Sequence, residues 1–209
     1  MSERSAIVSF DRETPAQELA DGPSWVRWLL QGVRARCDHV HFHPASLRGP
    51  HVRARWEQFG AAHFLPLIGP QMTQAWTAAA ARDRGALVAA DAELDGRLSG
   101  EMAARSLAAG AVLLQTTRGA RYQGVLGHYR TAVEEGGTAG HFIVVWAAVG
   151  NFFQLSLTNV LAEYLHLEWE LGTREFSNVA APEGAASFTS LVGTTLMAGT
   201  EPTLVRHEG

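Results

Sequence analysis

Apolar side chains in this sequence recur three and four residues apart wherever a periodic pattern is present, which is the spacing of one face of an α-helix. No stretch alternates apolar and polar residues between hairpin turn pairs, as antiparallel strands do. The clearest pattern begins after Ser156, a residue type that favours the helix N-cap, and ends near Gly172; its apolar stripe contains Leu157, Val160, Leu161, Tyr164, Leu165 and Leu171. The pattern predicts an all-α fold.

The length and composition fit one domain. The chain has 209 residues, of which 46% are hydrophobic and 18% are charged, and this is enough for one sizeable core. It contains no internal repeat and no low-complexity run that would separate a second domain. We expect residues 1–209 to form a single-domain helical bundle, with a mobile N-terminal end over about 1–20 and a mobile C-terminal tail over about 199–209.

Four more segments carry helix signals. A helix is predicted over 24–36, and the alanine-rich segment 71–94 fits two helices or one kinked helix, interrupted at Gly85. Another helix is predicted over 99–117, with a serine as its N-cap. The apolar segment 142–153 is about a dozen residues long, against roughly 20 needed to span a bilayer, so a buried core helix is predicted there.

Composition excludes several classes of function. All 17 basic residues are arginine, which excludes Schiff-base chemistry, a lysine general base and a phosphate-loop lysine. The formal net charge of -4 gives no basic field for nucleic acid. The sequence has neither a Gly-x-Ser-x-Gly elbow nor a Gly-x-Gly-x-x-Gly fingerprint. Cys37 is the only cysteine and the start of the chain lacks a signal-peptide pattern, so we expect a cytoplasmic protein without a membrane partner.

The most unusual local feature is the alternation of three histidines, His39, His41 and His43, in a proline-containing loop over 39–50. Alternate residues of an extended segment point the same way, so three imidazoles could converge on zinc, nickel or iron. The competing interpretation is a loop with several exposed histidines.

A second metal-ligand pattern is the Glu163-x-x-His166 pair, because carboxylate-bridged di-metal proteins use this spacing on their bundle helices. The chain contains no second copy of the motif, so a solvated helix face with Glu163, His166 and Glu170 exposed is the favoured interpretation. If folding brought this pair to the three loop histidines, the chain would be a helical metal-dependent enzyme with iron or zinc as its cofactor, for example an oxygenase.

The six tryptophans are many for this length and predict either core packing or a buried interface. Trp25 and Trp28, three residues apart beside Arg27, would suit a surface that faces a partner, although core packing is favoured for aromatic stripes. A helical small-molecule binder with tryptophans lining its pocket is a third alternative. Helices rich in small residues and the many tryptophans also suit a homodimer.

Three stretches from residue 65 onward follow one another in a characteristic order: LPLIGPQMTQAWTAAAARD, DAELDGRLSGEMAARSLAAGAVLL and GHFIVVWAAVGNFFQLSLTNVLAEYL. This order of features resembles the urease accessory proteins of the UreF type. The matching positions are Leu65 and Pro66, Asp91 and Leu94, Ser106 and Gly110, Leu113 and Leu114, His141, Val144 and Val145, and Tyr164 and Leu165. Ile143 stands where the family usually has proline.

The resemblance implies an all-α, non-enzymatic accessory protein that helps insert nickel into urease. Its partners would be other urease accessory proteins, namely a second scaffold and a GTPase. No tightly bound cofactor is expected, and nickel would be carried only transiently. Within the resemblance, His141 and Tyr164 are expected near a partner surface.

Overall fold

The computed structural model describes residues 24–48, 51–98, 100–118, 123–176 and 179–199. Every regular element in these residues is helical and none is a strand, so the predicted all-α fold is confirmed. The predicted mobile N-terminal end, the tail beyond Gly199, and the predicted N-cap Ser99 lie outside the described residues.

The helices, numbered here along the chain, are α1 (Ser24–Leu29), α2 (Gln31–Arg36), α3 (Val52–Phe59), α4 (Gly69–Ala80), α5 (Arg84–Arg97), α6 (Gly100–Thr116), α7 (Gly124–Glu134), α8 (Phe142–Phe152), α9 (Leu157–Thr173) and α10 (Phe188–Ala198). Short 3-10 turns lie at Pro44–Ser46 and Gly184–Ala186. No helix in the described part of the chain is both long enough and apolar enough to cross a membrane.

Helix α8 is the centre of the molecule. All residues over 142–150 are buried, as predicted for this apolar segment, and α4, α6 and α9 pack against it. The Trp146 indole N–H donates a hydrogen bond of 2.9 Å to the Val160 carbonyl, which joins α8 to α9. Helix α6 approaches the start of α8 so closely that a Cβ at Gly110 would collide with the Gly140 carbonyl oxygen.

A π-helical segment, Gly60–Ile68, joins α3 to α4 in one continuous helical run. Pro66 lies inside this segment. Proline has no backbone N–H, and its ring clashes with the preceding turn of a standard α-helix, so the wider π turn accommodates it. The run places the aromatic side chains of α3 and the alanine-rich face of α4 on different parts of the core.

Two predicted helix boundaries differ from those observed. The break in the alanine-rich segment falls at Arg82 and Asp83 rather than at Gly85, because Arg82 adopts φ 58° and the Asp83 side chain caps α5 by accepting from the Ala86 N–H. The helix predicted over 24–36 is two short helices that meet at Leu30. The Ser156 cap of α9 is confirmed by its bond from the Asn159 N–H.

Candidate functional site

A fully buried carboxylate, Glu168 on α9, holds a segment of chain that lies far away in sequence. It accepts hydrogen bonds from the backbone N–H of His41 at 3.0 Å and of Phe42 at 2.8 Å, and it lies 2.9 Å from the His41 Nδ1. The Tyr164 hydroxyl, one turn earlier on α9, is 3.0 Å from the same Nδ1. The segment after α2 is therefore fixed across α9 by one carboxylate.

The electrostatics of this cluster favour an ionised Glu168. Burial alone would raise the pKa of Glu168, but hydrogen bonds from the His41 ring, the Phe42 N–H and the Tyr164 hydroxyl together lower that pKa below its ordinary value. Burial and the adjacent Glu168 charge raise the pKa of Tyr164 well above its ordinary value, so Tyr164 stays neutral. The cluster therefore contains one buried anion stabilised by donors.

A second buried carboxylate, Asp91 on α5, fixes the start of α8. It accepts hydrogen bonds from the Thr138 hydroxyl and the Gly140 N–H, both at 2.6 Å, and from the His141 N–H at 2.9 Å. The His141 Nε2 lies 3.2 Å from a carboxylate oxygen of the exposed Asp95. Charge-assisted bonds to backbone N–H groups are among the stronger hydrogen bonds in proteins, so this contact fixes where the central helix begins.

The carboxylates of Glu168 and Asp91 both accept hydrogen bonds that hold backbone segments in position. Neither has the free geometry of a general base, because its oxygens already accept from two or more donors. Across the described ranges, no group of three or more His, Cys, Asp or Glu side chains is placed to hold a metal ion. The two carboxylates therefore hold backbone segments in place.

The three loop histidines do not converge. His41 is 1% exposed and points toward Glu168, whereas the rings of His39 and His43 pack on each other with centroids 4.4 Å apart. The His43 Nδ1 also lies 2.6 Å from the Ser46 hydroxyl. The segment is not a regular strand, so the alternation of its residues does not bring the three rings to one point.

The two side chains of the helical pair Glu163 and His166 differ in their surroundings. The His166 ring packs on Phe188 of α10, with centroids 4.3 Å apart. The predicted solvated face is wrong for Glu163, which is 2% exposed and has a buried Oε2 without a hydrogen-bond partner in the described part of the chain. Burial raises the pKa of Glu163, and the charges of Arg34 and Arg27 partly offset this increase.

The residues predicted to face a partner differ in how much of each side chain is exposed to solvent. His141 and Tyr164 are both fully buried, so their side chains do not reach the surface themselves. Trp28 on α1 is 65% exposed, which corrects the favoured core interpretation. The side chain of Trp25 lies outside the described residues. Phe152, Phe176 and Met197 are the other large apolar side chains exposed on the described surface.

Sequence reasoning missed Glu168 altogether, although a signal was present. Glu168 follows Tyr164 by four residues and lies beside Leu165 and Trp169, within the apolar stripe of α9. A carboxylate in an otherwise apolar stripe must find donors when it is buried. Asp91 carried part of the family resemblance, but its bonds to residues 138–141 were not foreseen.

Comparisons with known proteins give one finding. The sequence model of the UreF family matches residues 61–170, which is more than half of the chain and extends from the π-helical segment into α9. Searches of curated proteins and of solved structures gave no significant match. The family consists of urease accessory proteins and not of catalytic enzymes. The matched region contains Asp91, His141 and Glu168, whereas His41 and Phe42 lie before it. Because the match covers more than half of the chain, the chain belongs to the UreF family of urease accessory proteins.

Proposed function

We propose that this chain is a non-enzymatic scaffold of the cytoplasmic urease maturation machinery. It binds a second accessory scaffold and a GTPase through its helical surfaces and helps deliver nickel to urease. The observation that carries the proposal is the UreF match over residues 61–170. Nickel is the cargo in this proposal, and the chain holds no metal tightly between deliveries.

The interior supports a scaffolding role. The buried carboxylates of Glu168 and Asp91 fix backbone segments that are 126 and 49 residues distant in sequence, counted to Phe42 and to Gly140. A protein that acts by binding needs surfaces held in one geometry, because ordering them on association would cost affinity. Both contacts provide this rigidity without a reactive group.

The described surface carries features suited to partner contact. Trp28 and Met197 are 65% and 74% exposed, and large apolar side chains of this kind form the energetic centres of interfaces. An apolar groove of about 160 Å³ lies between α9 and α10, lined by Ala162, Phe188 and Val192. We include a homodimer in the proposal, since such apolar surface also suits self-association.

The test combines purified proteins and cells. The chain is mixed with a UreF-partner scaffold and the accessory GTPase, and the assembly is followed by size-exclusion chromatography with light scattering, first for the chain alone and then for the mixture. We expect a discrete complex, and urease activity and urease nickel content restored in cells that lack their own UreF protein. A mixture that elutes as separate components, together with no rescue of urease, would contradict the proposal.

Substitutions of exposed apolar residues test which surface of the chain binds the partners. Trp28→Ser and Met197→Ser should weaken the complex by about tenfold or more where either side chain is an interface centre. Glu101→Gln, at an exposed site of α6, is the matched surface control and should leave the complex unchanged. Metal analysis of the tag-free protein separates a scaffold from a metalloenzyme, because stoichiometric iron or zinc that is lost in His39→Ala and His43→Ala would support the enzyme alternative.

A further inference from the structure

A cleft of about 480 Å³ lies at one end of the bundle. It lies where α4 and α8 end and α7 begins, away from both buried carboxylate clusters. Its volume falls within the range of small-ligand and peptide pockets. Neither the accessory role proposed above nor the family match assigns it a function.

The two helices that end at this cleft do so in an unusual way. Each ends in a Schellman motif, shown by the bonds from the Asp83 N–H to the Ala78 carbonyl and from the Leu155 N–H to the Gly150 carbonyl, both 2.9 Å. The left-handed position of that motif normally takes glycine, but here it holds Arg82 with φ 58° and Gln154 with φ 60°.

Arg82 and Gln154 are the two non-glycine residues with positive φ in the described part of the chain, and both line this cleft. A left-handed conformation costs an L-residue free energy that glycine would not lose. Placing long polar side chains at both positions therefore lowers stability, and the compensating benefit must come from what the two side chains do in the cleft.

The residues that line the cleft indicate the kind of ligand that would fit it. Four polar residues line the cleft, and none of their side chains makes a hydrogen bond or ion pair with other residues that the structure describes: Arg82, Gln123, Asn151 and Gln154. The three primary amides both donate and accept, as a peptide backbone requires, and Arg82 is the one charged residue among the described residues of the lining. Leu126 and Phe152 give the cleft apolar wall area.

We propose that this cleft binds an acidic segment of a partner protein. The amides of Gln123, Asn151 and Gln154 pair with its backbone, the Arg82 guanidinium pairs with a carboxylate, and an adjacent apolar side chain of the segment packs beside Leu126. The charge assignment follows from Arg82, because an arginine without a carboxylate among its lining neighbours attracts an anion. The Ala78 and Ala79 carbonyls of α4 and the Gly150 and Asn151 carbonyls of α8 already accept hydrogen bonds within their Schellman motifs.

The first experiment uses a defined probe. The ¹⁵N-labelled chain is titrated with the peptide acetyl-Ala-Leu-Asp-Leu-Ala-amide and with its Asp→Asn counterpart, and amide shifts are followed by NMR. We expect saturable shifts over 123–126 and 148–154 with the acidic peptide, and at least fivefold weaker binding of the neutral one. Absence of saturable shifts at about 10 mM peptide, or shifts located elsewhere on the surface, overturns the proposal.

Three variants separate binding from folding. Arg82→Asn keeps a residue that tolerates positive φ but removes the charge, and should weaken the acidic probe at least fivefold without changing the neutral one. Arg84→Gln, the matched charge change outside the lining, should have no effect, and an equal loss in both variants would overturn the proposal by showing general charge attraction. Arg82→Gly should raise Tm by about 2–4 °C and abolish the difference in affinity between the acidic and the neutral peptide. A lower Tm would show that Arg82 has a structural role and would overturn the proposal.

Discussion

The Glu168 carboxylate accepts hydrogen bonds from both the backbone N–H and the ring Nδ1 of His41, a residue 127 positions earlier. An ionised carboxylate is only an acceptor, so the Nδ1 carries the proton. The His41 Nε2 is buried without a partner among the described residues. One side chain of α9 thus fixes both the position and the ring orientation of the residue that crosses it.

Replacing Glu168 with Gln should destabilise the fold by about 3 kcal/mol, because the amide group cannot accept from every donor that now faces the carboxylate. Urea denaturation followed by circular dichroism measures the loss. Glu170→Gln is the matched control on the same helix: its carboxylate is about half exposed, so its ion pair with Arg34 contributes about 1 kcal/mol or less. Equal losses in the two variants would contradict the role given to Glu168.

The same substitution should change how stability depends on pH. The folded-state pKa of Glu168 lies below its ordinary value of 4.5, so the stability it contributes is fully present above 4.5 and is lost as pH falls through the folded pKa. The difference in unfolding free energy between the native chain and Glu168→Gln should therefore be constant at neutral pH and shrink below 4.5. A difference that grows on acidification would reverse this sign.

Glu163 should show the opposite behaviour. Burial raises its folded-state pKa above the ordinary value of 4.5, so the charged form is disfavoured in the fold and stability falls as pH rises from 4.5 through the raised pKa. Glu163→Gln should then be at least as stable as the native chain at neutral pH, and relatively less favourable near pH 4. Thermal unfolding at both pH values measures this, and a large loss at neutral pH would show that the Glu163 charge is stabilising.

The histidines at 41 and 43 should respond very differently to alanine. His41→Ala removes a fully engaged interior side chain and should cost about 2–4 kcal/mol, because the buried Glu168 loses a charge-assisted donor and a cavity forms. His43→Ala removes a partly exposed ring and should cost about 0.5 kcal/mol or less. Denaturant titration of both variants tests this. Similar small losses would instead favour a loop in which all three histidines are solvated.

Two glycines of neighbouring helices form a further pair of opposite predictions. Gly110→Ala places a Cβ against the Gly140 carbonyl and should cost about 2 kcal/mol or more, since backbone must move to relieve the contact. Gly96→Ala meets nothing within 4 Å and should stabilise α5 by up to about 1 kcal/mol. Thermal unfolding of both variants measures the contrast, and a neutral Gly110→Ala would show that α6 and α8 are not packed as closely as described.

The sequence was sufficient to predict elements whose signals are local. The stripe after Ser156, its N-cap and the buried segment over 142–153 all depend on spacing and composition within one element. The first two agree with the structure, and the third agrees over 142–150, since Phe152 is exposed. The break at Gly85 was misplaced because two signals competed, and the aspartate cap at Asp83 determined the boundary.

Most of the candidate site could not be predicted from local sequence signals, because the site depends on contacts between segments that are distant in sequence. A glutamate is exposed by default, and whether Glu168 or Glu163 is buried depends on which segments of chain lie across α9. The outward direction of Trp28 likewise depends on how α1 lies on the bundle. Spacing shows which residues share a helix face, but not what covers that face.

The π-helical segment at Gly60–Ile68 also constrains how this chain can vary in length. Each residue of an α-helix advances about 100° around the axis. A turn with an extra residue therefore rotates the side-chain positions of α3 relative to those of α4. Deleting one residue there would restore ordinary winding and turn Trp56 and Phe59 away from Phe42, the aromatic neighbour of both. Insertions and deletions should therefore be tolerated in the connections of this fold and selected against within this segment.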